Sequence, residues 1–223
     1  MGFEVETKDC TAVTDAELGE LEALSSDSPR SFSMGVLSKQ AEEWVLLTTA
    51  RENGKLRGYV FSTLERIGGT PAVIMGLGTV LRNNKRNTAL KALMSELYHR
   101  ALMAFPDEDV IFGTTIVTPS GFEIFKDLTD DLPKPSYRPS GEERAWGRRF
   151  AKRLGFSQLG FDDRKFVAVG DGSKPCVFDH ESLKPEKIDK DIQGMFADLD
   201  EAKGDAIVAV GWAMAEKLEK LGS

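Results

Sequence analysis

The hydrophobic pattern changes period between residues 71 and 105. Residues 71–81 are almost continuously apolar, from Pro71 through Val73, Ile74, Met75 and Leu77 to Val80 and Leu81, as expected of a central strand buried on both faces. A polar, basic stretch follows: Arg82, Asn83, Asn84, Lys85, Arg86 and Asn87. Leu90, Leu93, Met94, Leu97, Ala101 and Leu102 then recur every three or four positions, which predicts a long helix with Thr88 or Asn87 as its N-cap. The β-branched run at 109–117 predicts a second central strand. Strand, helix and strand with short connections read as a βαβ unit, so the second strand should run parallel to the first.

Before this unit, residues 3–7 read as an edge strand, and residues 14–24 as a helix with a capping box formed by Thr14 and Glu17. The Ser-rich segment 25–33, with Pro29, is a loop, and residues 34–43 form a short amphipathic helical turn. Strands at 44–50 and 56–65 are joined by Glu52-Asn53-Gly54-Lys55, a hairpin turn signal, and Gly68-Gly69 turns the chain into the strand 71–81. Three strands joined by tight turns make an antiparallel meander. After the βαβ unit, residues 119–128 begin a helix with Ser120 as cap, and 129–140, with Pro133, Pro135 and Pro139, is a loop. Residues 142–154 are a basic helix closed by Gly155. A strand is expected at 164–169, a loop at 170–185 containing Lys174-Pro175, an apolar strand at 206–212 and a terminal helix at 213–221. The fold class is therefore α/β: one domain over 1–223 with a mixed, twisted sheet of about six or seven strands flanked by helices. Within it, 170–223 is a C-terminal extension that adds a strand and a helix.

Composition narrows the chemistry. A hydrophobic fraction of 41% supports a sizeable core, and a net charge of -7 argues against nucleic acid as the main partner. Two cysteines, Cys10 and Cys176, and two histidines, His99 and His180, show no metal-ligand spacing, so no metal site is expected. No apolar run approaches about 18 residues and the first residues lack a signal-peptide pattern, so the expectation is a cytoplasmic chain without a membrane span.

The basic turn is the main candidate for chemistry. A strand feeding a helix through Arg82, Lys85 and Arg86, with Lys91 one turn on, brings free helical N–H groups and positive charge together, which suits an anion. A solvated turn with ordinary surface charges is the other reading of the same residues.

The order of elements and this turn resemble the GCN5-related N-acetyltransferase (GNAT) family over residues 44–169. In the best register Val80 falls on the family's strand-end valine, Lys85 on its Arg/Gln, Thr88 and Leu90 on its two small positions and Leu93 on a helix leucine. Neither small position is glycine here, and Arg82 stands where proline is usual. Phe150-Ala-Lys-Arg-Leu-Gly-Phe156 is similar to the sequence that ends the last helix in many members. The resemblance implies an acetyl-CoA-dependent N-acyltransferase acting on a small-molecule or peptide amine, with acetyl-CoA as cosubstrate. It places the pyrophosphate on the amides of Arg86, Asn87 and Thr88 with charge from Arg82 or Lys85, and the pantetheine arm along Gly78-Thr79-Val80. Where many members carry a proton-donating tyrosine, this chain has Phe122 and Phe125, which leaves Tyr137 as substitute acid and Glu123 as candidate base. The alternative is a protein of this fold without catalysis, acting as a ligand-binding or regulatory module. The basic helix, with Arg144, Arg148, Arg149, Lys152 and Arg153, reads as a solvated face, as a site for an acidic partner or the adenosine phosphate, or as a docking face for a second subunit, which would make a homodimer.

Overall fold

The computed structural model describes residues 2–26, 28, 30–173 and 176–222. The loop positions Pro29, Lys174 and Pro175 lie outside the described residues. The chain builds a mixed sheet, mostly antiparallel, with helices on both faces. Strand β1 (Glu4–Asp9) is the edge next to β2 (Leu46–Glu52), and β2, β3 (Lys55–Ile67) and β4 (Thr70–Val80) form the expected meander. The turns are made by Asn53 and Gly54, at φ of 51° and 74°, and by Gly68 and Gly69, at 60° and 90°. Helix α1 (Asp15–Ser25) carries the full Thr14–Glu17 capping box, and α2 (Met34–Glu43) covers the same face of the sheet.

Helix α3 (Arg86–Ala104) crosses from β4 to β5 (Val110–Ile116), which runs parallel to β4. The helix starts earlier than the sequence suggests. Asn83 accepts the Lys85 amide through Oδ1 (2.8 Å) and the Arg86 amide through its carbonyl (3.2 Å). This turn nucleates the helix with Lys85 at the cap position, so Asn87 and Thr88 fall inside the first turn and neither caps it. Ser120 is not a cap either. Thr118 precedes a short 3-10 helix (Pro119–Phe125) whose first position is the proline, and Ser120 is buried.

The second half adds more strands than the sequence pattern predicts, and the sheet holds ten among the described residues. Within the proline-rich segment, β6 (Thr129–Leu132) pairs with the last part of the sheet, and α4 (Gly141–Arg153) follows with a Ser140–Glu143 capping box. The strand expected at 164–169 shrinks to β8 (Val167–Ala168), paired with β7 (Phe161–Asp162). Asp162 Oδ1 takes the amides of Arg164 and Lys165 (2.9 and 3.2 Å), and Phe166 adopts φ 58°, so those residues make the hairpin turn. The loop expected at 170–185 contains β9 (Phe178–Asp179), which pairs parallel to β4. After the short α5 (Lys190–Gly194), β10 (Ala206–Ala213) enters the sheet beside β5, and α6 (Ala215–Leu221) packs on α3. Strand 206–212 thus ties the extension into the sheet, in its interior rather than at its edge.

Two apolar layers result. Val60, Val73, Leu93, Leu97, Phe112 and Phe178 pack beneath α3, while Leu21, Leu37, Trp44, Tyr59, Ile74 and Phe150 pack beneath α1, α2 and α4. Leu90, which falls on one of the family's small positions, is buried in the α3 layer and lines the cleft beside Thr88.

Candidate functional site

The site is the fork where β4 and β5 part. Their register covers only Ala72–Ile74 against Ile111–Gly113. On its other side β4 bulges: Gly78 faces Val60 and Met75 faces Ser62, which leaves Gly76 and Leu77 together opposite Phe61 of β3. Gly76 is required there because a Cβ would lie 2.3 Å from the Trp44 ring. The bulge and the fork leave the β4 edge at Gly78 and Thr79 without a partner from β5.

The chain fills that edge itself. The Gly78 amide donates to the Val177 carbonyl (3.1 Å), and Gly78 and Thr79 register with Phe178 and Asp179 of β9. The edge proposed for a pantetheine arm is therefore occupied, a correction to the sequence expectation for Thr79. Val80 is buried and faces Gly58 of β3. The strap from Cys176 to Lys184 runs on to the basic turn. Arg82 donates to Asp179 Oδ2 and to Glu181 Oε2, both at 3.2 Å, and Arg86 Nη2 donates to the Ser182 carbonyl (2.8 Å). Asp179 also receives Ser28 Oγ (3.1 Å) and lies 3.7 Å from Arg30 Nε. At the other end, Cys176 Sγ donates to Gln40 Oε1 (2.9 Å), which also accepts the Trp44 indole N–H (2.9 Å). Burial pushes the Cys176 thiol up to about 12, so it is an unreactive thiol at neutral pH.

The basic turn is thus an anion site whose anions are internal. Lys85 is turned away, paired with Glu52, which Arg57 also approaches (3.4 Å). Hydrogen bonding from Lys85 holds the Glu52 carboxyl below its usual range. The Arg86 amide is used by Asn83, and the amides of Asn87 and Thr88 have no acceptor among the described residues. They open on a cleft of about 460 Å³ lined also by Lys91, Glu123 and Lys126.

The two candidate catalytic groups are not brought together. Tyr137 is exposed, donates to Glu143 (3.0 Å) and lines a different cleft of about 820 Å³ with Pro133 and Phe161, so it cannot serve the fork. The α4 capping box holds Glu143 in place, and Glu143 in turn holds Tyr137. Glu123 does border the fork, but beside the start of α3, accepting from Ser182 Oγ (2.5 Å), His180 Nε2 (2.8 Å) and the Asn87 side chain. Phe125 is buried, and Phe122 stacks on Phe196. Sequence reasoning missed the strap residues Asp179, His180, Glu181 and Ser182; Tyr59, in the middle of a strand and read from the sequence as core, is buried. The Tyr59 phenol is fully buried near Ser25, Cys176 and Asp179 without a hydrogen bond of acceptable geometry, and burial pushes its pKa up. The only sequence signal for the strap is the apolar pair Val177-Phe178 inside a polar loop.

His180 and Glu123 make a pH-sensitive pair. Burial dominates at His180 and lowers its pKa, so the ring is neutral, Nε2–H donates to the carboxylate, and Nδ1 is a buried acceptor without a donor. Burial raises Glu123, but the hydrogen bonds from Ser182 and His180 outweigh it and leave the carboxyl below its usual range. Both groups are lowered in the folded state, so the unfolded chain binds more protons on acidification. Their stabilisation is present above the unfolded values, 6.5 for His180 and 4.5 for Glu123, and is lost as pH falls through the folded ones. Urea midpoints should therefore fall as pH drops below 6.5, and His180→Gln should remove the part of that slope above the carboxylate range. An identical slope in the variant would refute the assignment.

Among the described residues, no group of three or more His, Cys, Asp or Glu is placed to hold a metal ion, and no helix is long and apolar enough to cross a membrane.

No family model and no curated protein matches the chain. Solved structures similar to it include N-acetyltransferases. An aminoglycoside 6'-acetyltransferase type Ii aligns at 14% identity over 58% of this chain and 86% of that one, with a TM-score of 0.42. The ribosomal-protein-S18-alanine N-acetyltransferase from Escherichia coli aligns at 10% identity over 95% of each chain, with a TM-score of 0.44. The aminoglycoside 6'-N-acetyltransferase from Enterococcus faecium aligns at 13% identity over 56% of this chain and 73% of that one, with a TM-score of 0.37. The likeness concerns the fold. From β1 to β5 the strands keep the order expected from the sequence, with α3 crossing between β4 and the parallel β5.

Proposed function

We propose that this chain is a non-catalytic module of GNAT-like fold, which keeps the ligand groove of an N-acetyltransferase and holds it shut with its own strand. The observation that carries this reading is the pairing of β9 with Gly78 and Thr79, with Asp179 and Glu181 on Arg82. The groups at the fork agree with it. Phe122 and Phe125 cannot donate a proton, Tyr137 lies elsewhere, and Glu123 is held by His180 and Ser182. Incubation with acetyl-CoA and a panel of amines (polyamines, aminoglycosides and short peptides) should release no CoA thiol above background. Amine-dependent release above background would sink the reading.

The second reading is an acetyl-CoA-dependent N-acyltransferase acting on a small-molecule or peptide amine. The free amides of Asn87 and Thr88 beside Lys91 favour it, because they suit a phosphate at the start of α3. A groove of about 1130 Å³ between α1, α2 and the β4 bulge, lined by Glu22, Phe32, Glu43 and Leu77, would take the acceptor. Turnover of any amine would select this reading over the first.

A further inference from the structure

We infer that the strap from Cys176 to Lys184 is a displaceable plug, an autoinhibitory contact that leaves the fork when a ligand with an extended arm and an anionic end takes its place. The inference rests on the reading of the fork as a closed ligand groove and adds how that groove is opened.

The strap is joined to the sheet weakly for a strand so deep in the fold. It registers with β4 over two residue pairs, whereas β10 registers with β5 over seven. Most of its other ties are polar and run to side chains of the basic turn and Glu123 rather than to backbone. Its seat is also imperfectly satisfied. Asp179 Oδ1, His180 Nδ1, Arg86 Nε and Tyr59 Oη are buried there without hydrogen bonds among the described residues. Buried polar atoms without partners oppose docking, so this seat is less stable than its apolar contacts through Val177 and Phe178 imply.

The strap also has the form of what it excludes. It lays an extended amide backbone along Gly78 and Thr79 and ends in carboxylates on Arg82. When it withdraws, Arg82 and Arg86 lose their internal partners, and the Asn87 and Thr88 amides lie beside them. A ligand combining an amide-bearing arm with phosphates would satisfy the same groups. From Leu183, near the end of the strap, to Lys187 the residues are exposed, which leaves room for the segment to swing out without unfolding β10.

Hydrogen exchange on the full chain, with acetyl-CoA as the probe, tests this. Amides of residues 177–182 should exchange faster than those of β3 and β10 in the free protein, and faster still with acetyl-CoA. The double variant Phe178→Ala/Asp179→Ala, which loosens the strap but keeps Arg82 and Arg86, should bind acetyl-CoA at least about tenfold more tightly than the parent, because the closed state no longer competes. Lys152→Glu, on α4, should change nothing. If the variant folds and exposes the strap but binds no more tightly, the plug is overturned and the non-catalytic reading stands. If the parent binds acetyl-CoA with residues 177–182 still protected, the plug is likewise overturned. Should the double variant fail to fold, exchange in the parent alone decides: strap amides as protected as β10 overturn the inference. Amine turnover by the released variant would support the plug and replace the non-catalytic reading with the enzymatic one.

Discussion

Gly76→Ala should destabilise the protein by about 3 kcal/mol, the upper end of what overpacking a core costs. The added Cβ would lie 2.3 Å from two ring atoms of Trp44. That ring cannot step aside freely, because its N–H is held by Gln40, which also accepts the Cys176 thiol. A methyl at the β4 bulge therefore disturbs the core under α2 and the start of the strap together. Gly35→Ala, in α2 with nothing within 4 Å of its Cβ, is the matched control and should stabilise by about 0.5–1 kcal/mol. Urea midpoints with unchanged slopes would measure both. Equal effects at the two glycines would mean that the Trp44 contact is not what fixes the bulge.

Arg82→Glu should have a comparable effect with a different signature. It turns two attractions, to Asp179 and Glu181, into repulsions. Asp179 is almost fully buried and, among the described residues, keeps Ser28 and the more distant Arg30. Removing one partner of a buried ion pair costs about 3–5 kcal/mol, and the partial exposure of Arg82 puts the expected loss at about 3 kcal/mol. The loss should be local. Amide protection should collapse at residues 177–182, while the β5–β10 ladder keeps its own. Uniform loss of protection across the sheet would show that the strap and the sheet unfold as one unit.

The parts legible in the sequence are those whose signal is local. The Thr14–Glu17 capping box, the Asn53-Gly54 hairpin and the run from β4 through α3 to β5 each carry their pattern within a few residues of themselves. What escaped is what depends on distant partners. The strand β9 is two residues long, and the only thing that makes it a strand is an edge of β4 one hundred positions earlier. The strand β6 hides in a proline-rich segment because it meets only the last turns of β10. For the site, the basic turn was visible as a cluster of charge, but its counter-charges on Asp179 and Glu181 were not, so an internally neutralised seat read as an open one. Tyr137 was chosen for its closeness in sequence to Phe125, and the chain carries it to another face.

The separation between Gly78 and Phe178 also has a consequence in time. Contacts between residues far apart in sequence close last, and a growing chain makes its early ones first. On the ribosome β1 to β4 and α3 are available long before the strap, so the nascent protein carries an open fork with bare positive charge at Arg82 and Arg86. Until the final fifth of the chain has been made, β5 also lacks its β10 neighbour and presents a raw strand edge. The youngest form of this protein is therefore the one most able to bind an acidic ligand, or to stick to another chain.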